Sequence, residues 1–119
     1  MYSEFIKKAV KQDDRNVFEP YHGKITGVPK QLESFYSDSN PVDVEVSIQG
    51  AYVKFIPYKD LVTVQKEYDL DVDCFVFATC NGDPVYYKKD GIYSCVYGKT
   101  GIIEDKIASS ITQYMELLD

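Results

Sequence analysis

Three cysteines, one histidine and an alternating run of carboxylates are the side chains here best equipped to do chemistry, and their spacing decides which chemistry is open. Cys74, Cys80 and Cys95 are odd in number and lack C-x-x-C spacing, which suits neither a disulfide framework nor a zinc site. They are expected as buried thiols within strands. His22 stands beside Gly23 in a stretch without periodicity, and a Cys-His nucleophile pair would have to couple it to one of those cysteines. Nothing in the spacing favours that, and a solvated loop histidine is the simpler reading. The run Glu67-Tyr-Asp69-Leu-Asp71-Val-Asp73 starts like a calcium loop, but the glycine required at the sixth loop position would be Cys74 and the closing glutamate would be Cys80. The calcium reading fails. Alternation instead predicts Asp69, Asp71 and Asp73 on one side of an extended segment, with Leu70 and Val72 opposite. Such a face is simply solvated, a docking surface for a basic partner, or a fortuitous metal-binding run. No P-loop, G-x-G-x-x-G, H-E-x-x-H or G-x-S-x-G pattern occurs, so no catalytic residue, metal ligand or cofactor is assigned from a motif.

The elements that must position these groups are written most clearly between Asp73 and Gly98. Cys74 to Cys80 is an apolar run of strand length, and Asn81-Gly82 is a dipeptide that closes two-residue hairpins. Val85-Tyr86-Tyr87, a second turn at Lys89-Asp90-Gly91 and a return strand from Ile92 to Tyr97 complete an antiparallel meander. Cys74, Val76, Ala78 and Cys80 are expected on one face of the first strand and Phe75 and Phe77 on the other. Both faces are then apolar, which makes that strand central. Upstream, Ser3 is a candidate cap for a helix carrying Phe5, Ile6, Ala9 and Val10 on one face, and residues 15–28 look irregular. Pro29 suits the first position of a second helix bearing Leu32, Phe35 and Tyr36, stopped by Ser39-Asn40-Pro41. Val42, Val44, Val46 and Ile48 alternate with Asp43, Glu45, Ser47 and Gln49, and Gln49-Gly50 turns that strand into Ala51 to Ile56. Leu61, Val64, Gln65 and Tyr68 give a short third helix. Ser110 with Gln113 resembles a capping box for a last one. The expectation is a single α+β domain over residues 1–119, with one antiparallel sheet of about five or six strands and about four helices.

Composition narrows the partners. The chain has 119 residues and a formal net charge of −6, and no run approaches the ~20 apolar residues of a membrane span. The N-terminus lacks the apolar core of a signal peptide, and a soluble, cytoplasmic protein is expected. An acidic chain without a basic stripe is a poor match for nucleic-acid phosphates and a better one for a cationic protein partner. Eleven tyrosines are many for this length, and Tyr86, Tyr87, Tyr93 and Tyr97 fall on neighbouring strands. Tyrosine offers large contact area for little rotamer entropy, so a surface of tyrosine and carboxylate competes with plain core packing. The candidate partner-binding residues are Asp43, Glu45, Glu67, Asp69, Asp71, Asp73, Tyr86 and Tyr93, while Asn81, Gly82 and Asp83 are a structural turn.

Three stretches together resemble the SUKH superfamily. They are Pro29-x-x-Leu32-x-x-Phe35-Tyr36 with Asn40-Pro41, the strand end Asn81-Gly82-Asp83-Pro84-Val85-Tyr86, and the closing Ala108-Ser-Ser-Ile-Thr-Gln-Tyr-Met-Glu-Leu-Leu118. That family includes fungal cell-wall-synthesis regulators of the Smi and Knr type and many bacterial immunity proteins. The resemblance implies a non-enzymatic α+β domain that binds a partner protein. In the bacterial branch the partner is typically a polymorphic toxin, often a nuclease, blocked inside the producing cell. Gly82-Asp83 matches the family's glycine-aspartate hairpin, whose role is structural. A constitutive regulatory domain with endogenous partners is the alternative, and a small thiol hydrolase, marked by a fast-reacting cysteine, is a third.

Overall fold

The computed structural model describes residues 2–89, 91–98 and 104–119. The elements run α1 (Ser3–Gln12), β1 (Val17–Glu19), α2 (Lys30–Ser39), β2 (Asn40–Ile48), β3 (Ala51–Phe55), a 3-10 turn at Tyr58–Asp60, α3 (Leu61–Tyr68), β4 (Phe75–Cys80), β5 (Asp83–Lys88), β6 (Gly91–Ser94), β7 (Asp105–Ala108) and α4 (Ile111–Glu116). The described strands form one antiparallel sheet of seven in sequence order, with β4 in the middle. The α+β class is as expected, and the strand number exceeds the five or six anticipated. The additions are β1, inside the segment read as irregular, and β7. Both are too short to show alternation, and each is a strand because its neighbour presents an unpaired edge.

Local chemistry accounts for the turns. Gln49 and Gly50 have φ of 50° and 81°, and Asn81 and Gly82 have 53° and 85°, the doubly positive pair that lets a two-residue turn follow the twist of its strands. The turn expected at Lys89-Asp90-Gly91 falls between paired Lys88 and Gly91, with Asp90 outside the described residues. β6 stops at Ser94 rather than running on to Tyr97. At the helix starts, Tyr2 and Pro29 hold the cap positions of α1 and α2, so Ser3 is helical rather than a cap. Ser110 Oγ does accept from Gln113 N at 3.0 Å, while the Gln113 side chain returns to Ser109 N, one residue earlier than a capping box requires.

Two register shifts change which side chains share a face. Val17 pairs with Asp43 and Phe18 with Pro41, which leaves Val42 as an extra residue and turns it outward, against the simple alternation. In β4, Val76 pairs with Tyr86 and Ala78 with Val85. Tyr86 and Val85 are consecutive and point to opposite faces, so Val76 and Ala78 do too, and the expected single face of Cys74, Val76, Ala78 and Cys80 is not formed. The central position of the strand holds, since Val76, Phe77 and Ala78 are all buried.

One sheet face carries the aromatic core. Phe5 of α1, Phe35 of α2, Phe55 of β3, Phe77 of β4 and Tyr114 of α4 form a continuous series of rings with centroids 5.4–6.3 Å apart. Where strand partners run out, side-chain amides replace them. Gln12 bonds both N and O of Ser47 on β2, and Gln65 of α3 bonds both N and O of Val76 on β4. These amides stand where a further strand would otherwise pair.

Candidate partner-binding site

The acidic approach is built by the end of α3. That helix stops because Asp69 takes a left-handed conformation, φ 48°, with its N–H bonded to Gln65 O at 3.0 Å. A turn follows at once, closed by Cys74 N to Asp71 O at 2.9 Å. The segment is therefore not extended, and Asp69, Asp71 and Asp73 do not share one side as alternation predicted. All three, and Glu67, are nonetheless exposed, Leu70 is half-buried, and Val72 is fully exposed at 104% of its reference area. The approach is an acidic rim around a projecting valine.

The Asn81-Gly82-Asp83 turn braces this rim. Tyr68 OH donates to Gly82 O at 2.7 Å, Tyr97 OH donates to Glu67 O at 3.1 Å, and the two rings meet edge to face at 4.7 Å. Asp83 accepts a backbone hydrogen bond, as expected of a structural turn residue, but from Tyr97 N rather than from within its own turn.

Behind the rim lies a groove of about 420 Å³ lined by Asp69, Leu70 and Asp71 on one side and by Cys74, Tyr86, Lys88, Cys95 and Glu104 on the other. Tyr86 is only 2% exposed, so it is a floor residue rather than the contact surface anticipated. Its hydroxyl donates to Glu104 Oε2 at 2.5 Å, and Lys88 donates to the other Glu104 oxygen at 2.9 Å. Burial first, and then the bond to Glu104, raise the Tyr86 pKa and hold the phenol as a proton donor. Tyr93 is half-buried and stacked on Tyr86 with planes 16° apart, beneath the Lys88 ammonium. Glu104 and Lys88 were not anticipated. Glu104 reaches the groove only because β7 pairs with β6, and no local pattern marks it.

Asp43 and Glu45 lie elsewhere. They line a separate groove on β2 and β3 with Asp13, Arg15, Asn16 and Lys54, in which none of the rim carboxylates takes part. Glu45 faces Lys54 across the strands, and Arg15 clamps Asp13 with two side-chain bonds of 2.8 and 3.0 Å that hold the Asp13 carboxyl down at about 2. Charges of both signs alternate there. The structure thus divides the predicted acidic set into a concentrated rim and a balanced strand face.

No family model matches the chain, and no curated protein or solved structure matches it either.

Cys74 and Cys95 are poorly disposed to act as nucleophiles. Burial pushes Cys74 up to about 11, with the Asp73 carboxylate 3.7 Å from its sulfur adding to the rise, and burial also raises Cys95. His22 is exposed and does not line the groove that holds these two cysteines. With a pKa of about 11, Cys74 at pH 8 is thiolate in about one molecule in a thousand, against roughly a quarter for an ordinary thiol. Iodoacetamide at pH 8 is expected to label Cys74 in the native protein at least about tenfold more slowly than in the urea-unfolded chain, even after allowing for the greater nucleophilicity of a high-pKa thiolate, and to label the buried Cys95 more slowly in the native state as well. Peptide mapping reads each site separately from half-buried Cys80. Faster labelling in the native state would return the thiol-hydrolase reading. Among the described residues no group of three or more His, Cys, Asp or Glu side chains is placed to hold a metal ion, and no helix is long and apolar enough to cross a membrane.

Proposed function

We propose that this chain is a non-enzymatic immunity-type domain of SUKH character that acts in the cytoplasm by binding and neutralising a cognate toxin, with a nuclease as the favoured class of toxin. The observation that carries this reading is the rim of Glu67, Asp69, Asp71 and Asp73, four exposed carboxylates within the seven residues from 67 to 73 that also carry the fully exposed Val72. A charged border around an apolar contact is how protein interfaces combine steering with desolvation. A nuclease presents a basic cleft to its nucleic acid, so an acidic surface both speeds encounter and competes for that cleft. The raised thiol pKa values of Cys74 and Cys95 and a histidine that does not line their groove favour binding over catalysis.

The test is co-expression with a toxin encoded beside this chain, followed by binding of the purified pair at several salt concentrations. Protection and a salt-sensitive complex are expected. Reversing Glu67, Asp71 and Asp73 together to lysine should weaken that complex by about tenfold or more, mainly through slower association, and flatten its salt dependence. Asp69 is left in place because its left-handed backbone favours aspartate. Circular dichroism confirms that the variant folds. A neighbouring toxin that neither binds nor is neutralised would overturn the function, whereas full binding by the reversed variant would overturn the rim as its site.

A further inference from the structure

The opposite face of the sheet holds a second groove of about 410 Å³, and its chemistry is of the opposite sign. Tyr87 follows Tyr86 in β5 and so points away from the acidic rim into this groove. Lys30 enters from the start of α2 and Lys89 from the end of the β5–β6 hairpin, so the two ammonium groups come from different walls. Neither forms an ion pair with a described residue, although acidic side chains outnumber basic ones by 19 to 13. Ser34, Ser109, Ser110 and Thr112, each bearing a hydroxyl, line the same groove. Ser110 Oγ already accepts from Gln113 N, which leaves its proton to be donated into the groove. Tyr2, whose hydroxyl bonds Ser34 at 3.2 Å, is buried at the base.

We infer that this groove binds a small organic phosphate monoester, with the dianionic phosphate between Lys30 and Lys89 and its organic part against Tyr87. Two lysines that form no ion pair with a described residue line this groove, and a ligand of charge about −2 at neutral pH would supply the countercharge both lack there. Serine and threonine hydroxyls donate to phosphate oxygens, and charge-assisted bonds of this kind are the strong ones. Lysine binds phosphate as a point charge and imposes no planar geometry on it. The volume lies in the range of small-molecule sites and exceeds what a bare phosphate fills, leaving the Tyr87 wall for an organic group. The inference is independent of the proposed function, because the acidic rim lies on the other face.

Phenyl phosphate, inorganic phosphate and sulfate serve as probes, titrated into ¹⁵N-labelled full-length protein with amide shifts as the readout. Saturable shifts at Lys30, Gln31, Lys89 and residues 109–112 are expected with phenyl phosphate, with inorganic phosphate binding several-fold more weakly and sulfate no better than that. Lys30→Ala and Lys89→Ala should each weaken phenyl phosphate about tenfold or more. Both side chains are exposed, so the variants are expected to fold, which their unperturbed spectra would verify. No saturable shift up to 10 mM, shifts centred elsewhere, or unchanged affinity in both variants would overturn the site. Equal affinity for inorganic and phenyl phosphate would overturn the organic ester as its ligand.

Discussion

Replacing Phe35 with alanine is expected to lower the unfolding free energy by about 3–5 kcal/mol, the range for deleting a buried phenyl ring. Phe35 is 0% exposed and stands where α2 meets the rest of the core. Its ring lies 5.3 Å from Tyr2, 5.3 Å from Tyr36, 6.0 Å from Phe55 and 6.3 Å from Phe5, so one side chain joins α1, α2 and β3. Two helices and a strand hold this space from three directions, and collapse into the vacated volume would require them to move together. The cavity term therefore adds to the lost transfer energy. Domains of this kind have a total stability of about 5–15 kcal/mol, so the variant would sit near the threshold of folding. Urea unfolding checks it: the midpoint should fall markedly with the slope nearly unchanged. A loss below about 1 kcal/mol would show that the ring series is not the centre of the core.

Asn16→Ala should cost about 1–3 kcal/mol through hydrogen bonds rather than volume. Asn16 is 8% exposed; its Nδ2 donates to Ala9 O and its Oδ1 accepts from Glu45 N, both at 2.9 Å. Ala9 O also accepts from Asp13 N, so the heavier loss falls on Glu45 N–H, which lies on β2 beyond the reach of β1. Alanine would leave that donor with no partner and open an edge that Asn16 now closes. Asn16→Asp keeps the acceptor for Glu45 and loses the donor to Ala9, and should recover part of the stability. Hydrogen exchange gives the local reading. The Glu45 amide should lose protection in the alanine variant more than in the aspartate one, and equal protection in both would remove the edge-closing role.

Side-chain amides at Gln12, Asn16 and Gln65 share this work, and nothing in their sequence context announces it. Each reaches 11 to 35 residues along the chain to a strand whose own neighbour falls short. The same non-local logic governs the candidate site. The rim carboxylates were legible as exposed acidic residues because charge and polarity are properties of the residues themselves. Tyr86 was not legible as a floor residue, nor Glu104 as its partner, because both depend on which strands lie side by side.

What the sequence determined by itself was the set of elements whose signals are local. The two hairpin turns follow from residues that accept positive φ, α3 follows from apolar spacing over two turns, and the α+β class follows from their order. What only the tertiary structure decided was register and facing. An extra residue at Val42 and another at Phe77 reverse the faces beyond them, and β1 and β7 exist as strands only against β2 and β6. The physical reason is that a backbone conformation is chosen by the residue that adopts it, whereas a ladder partner is chosen by two distant segments together. The acidic rim and the lysine-lined groove consequently come to occupy opposite faces of one sheet, through two tyrosines that are adjacent in sequence.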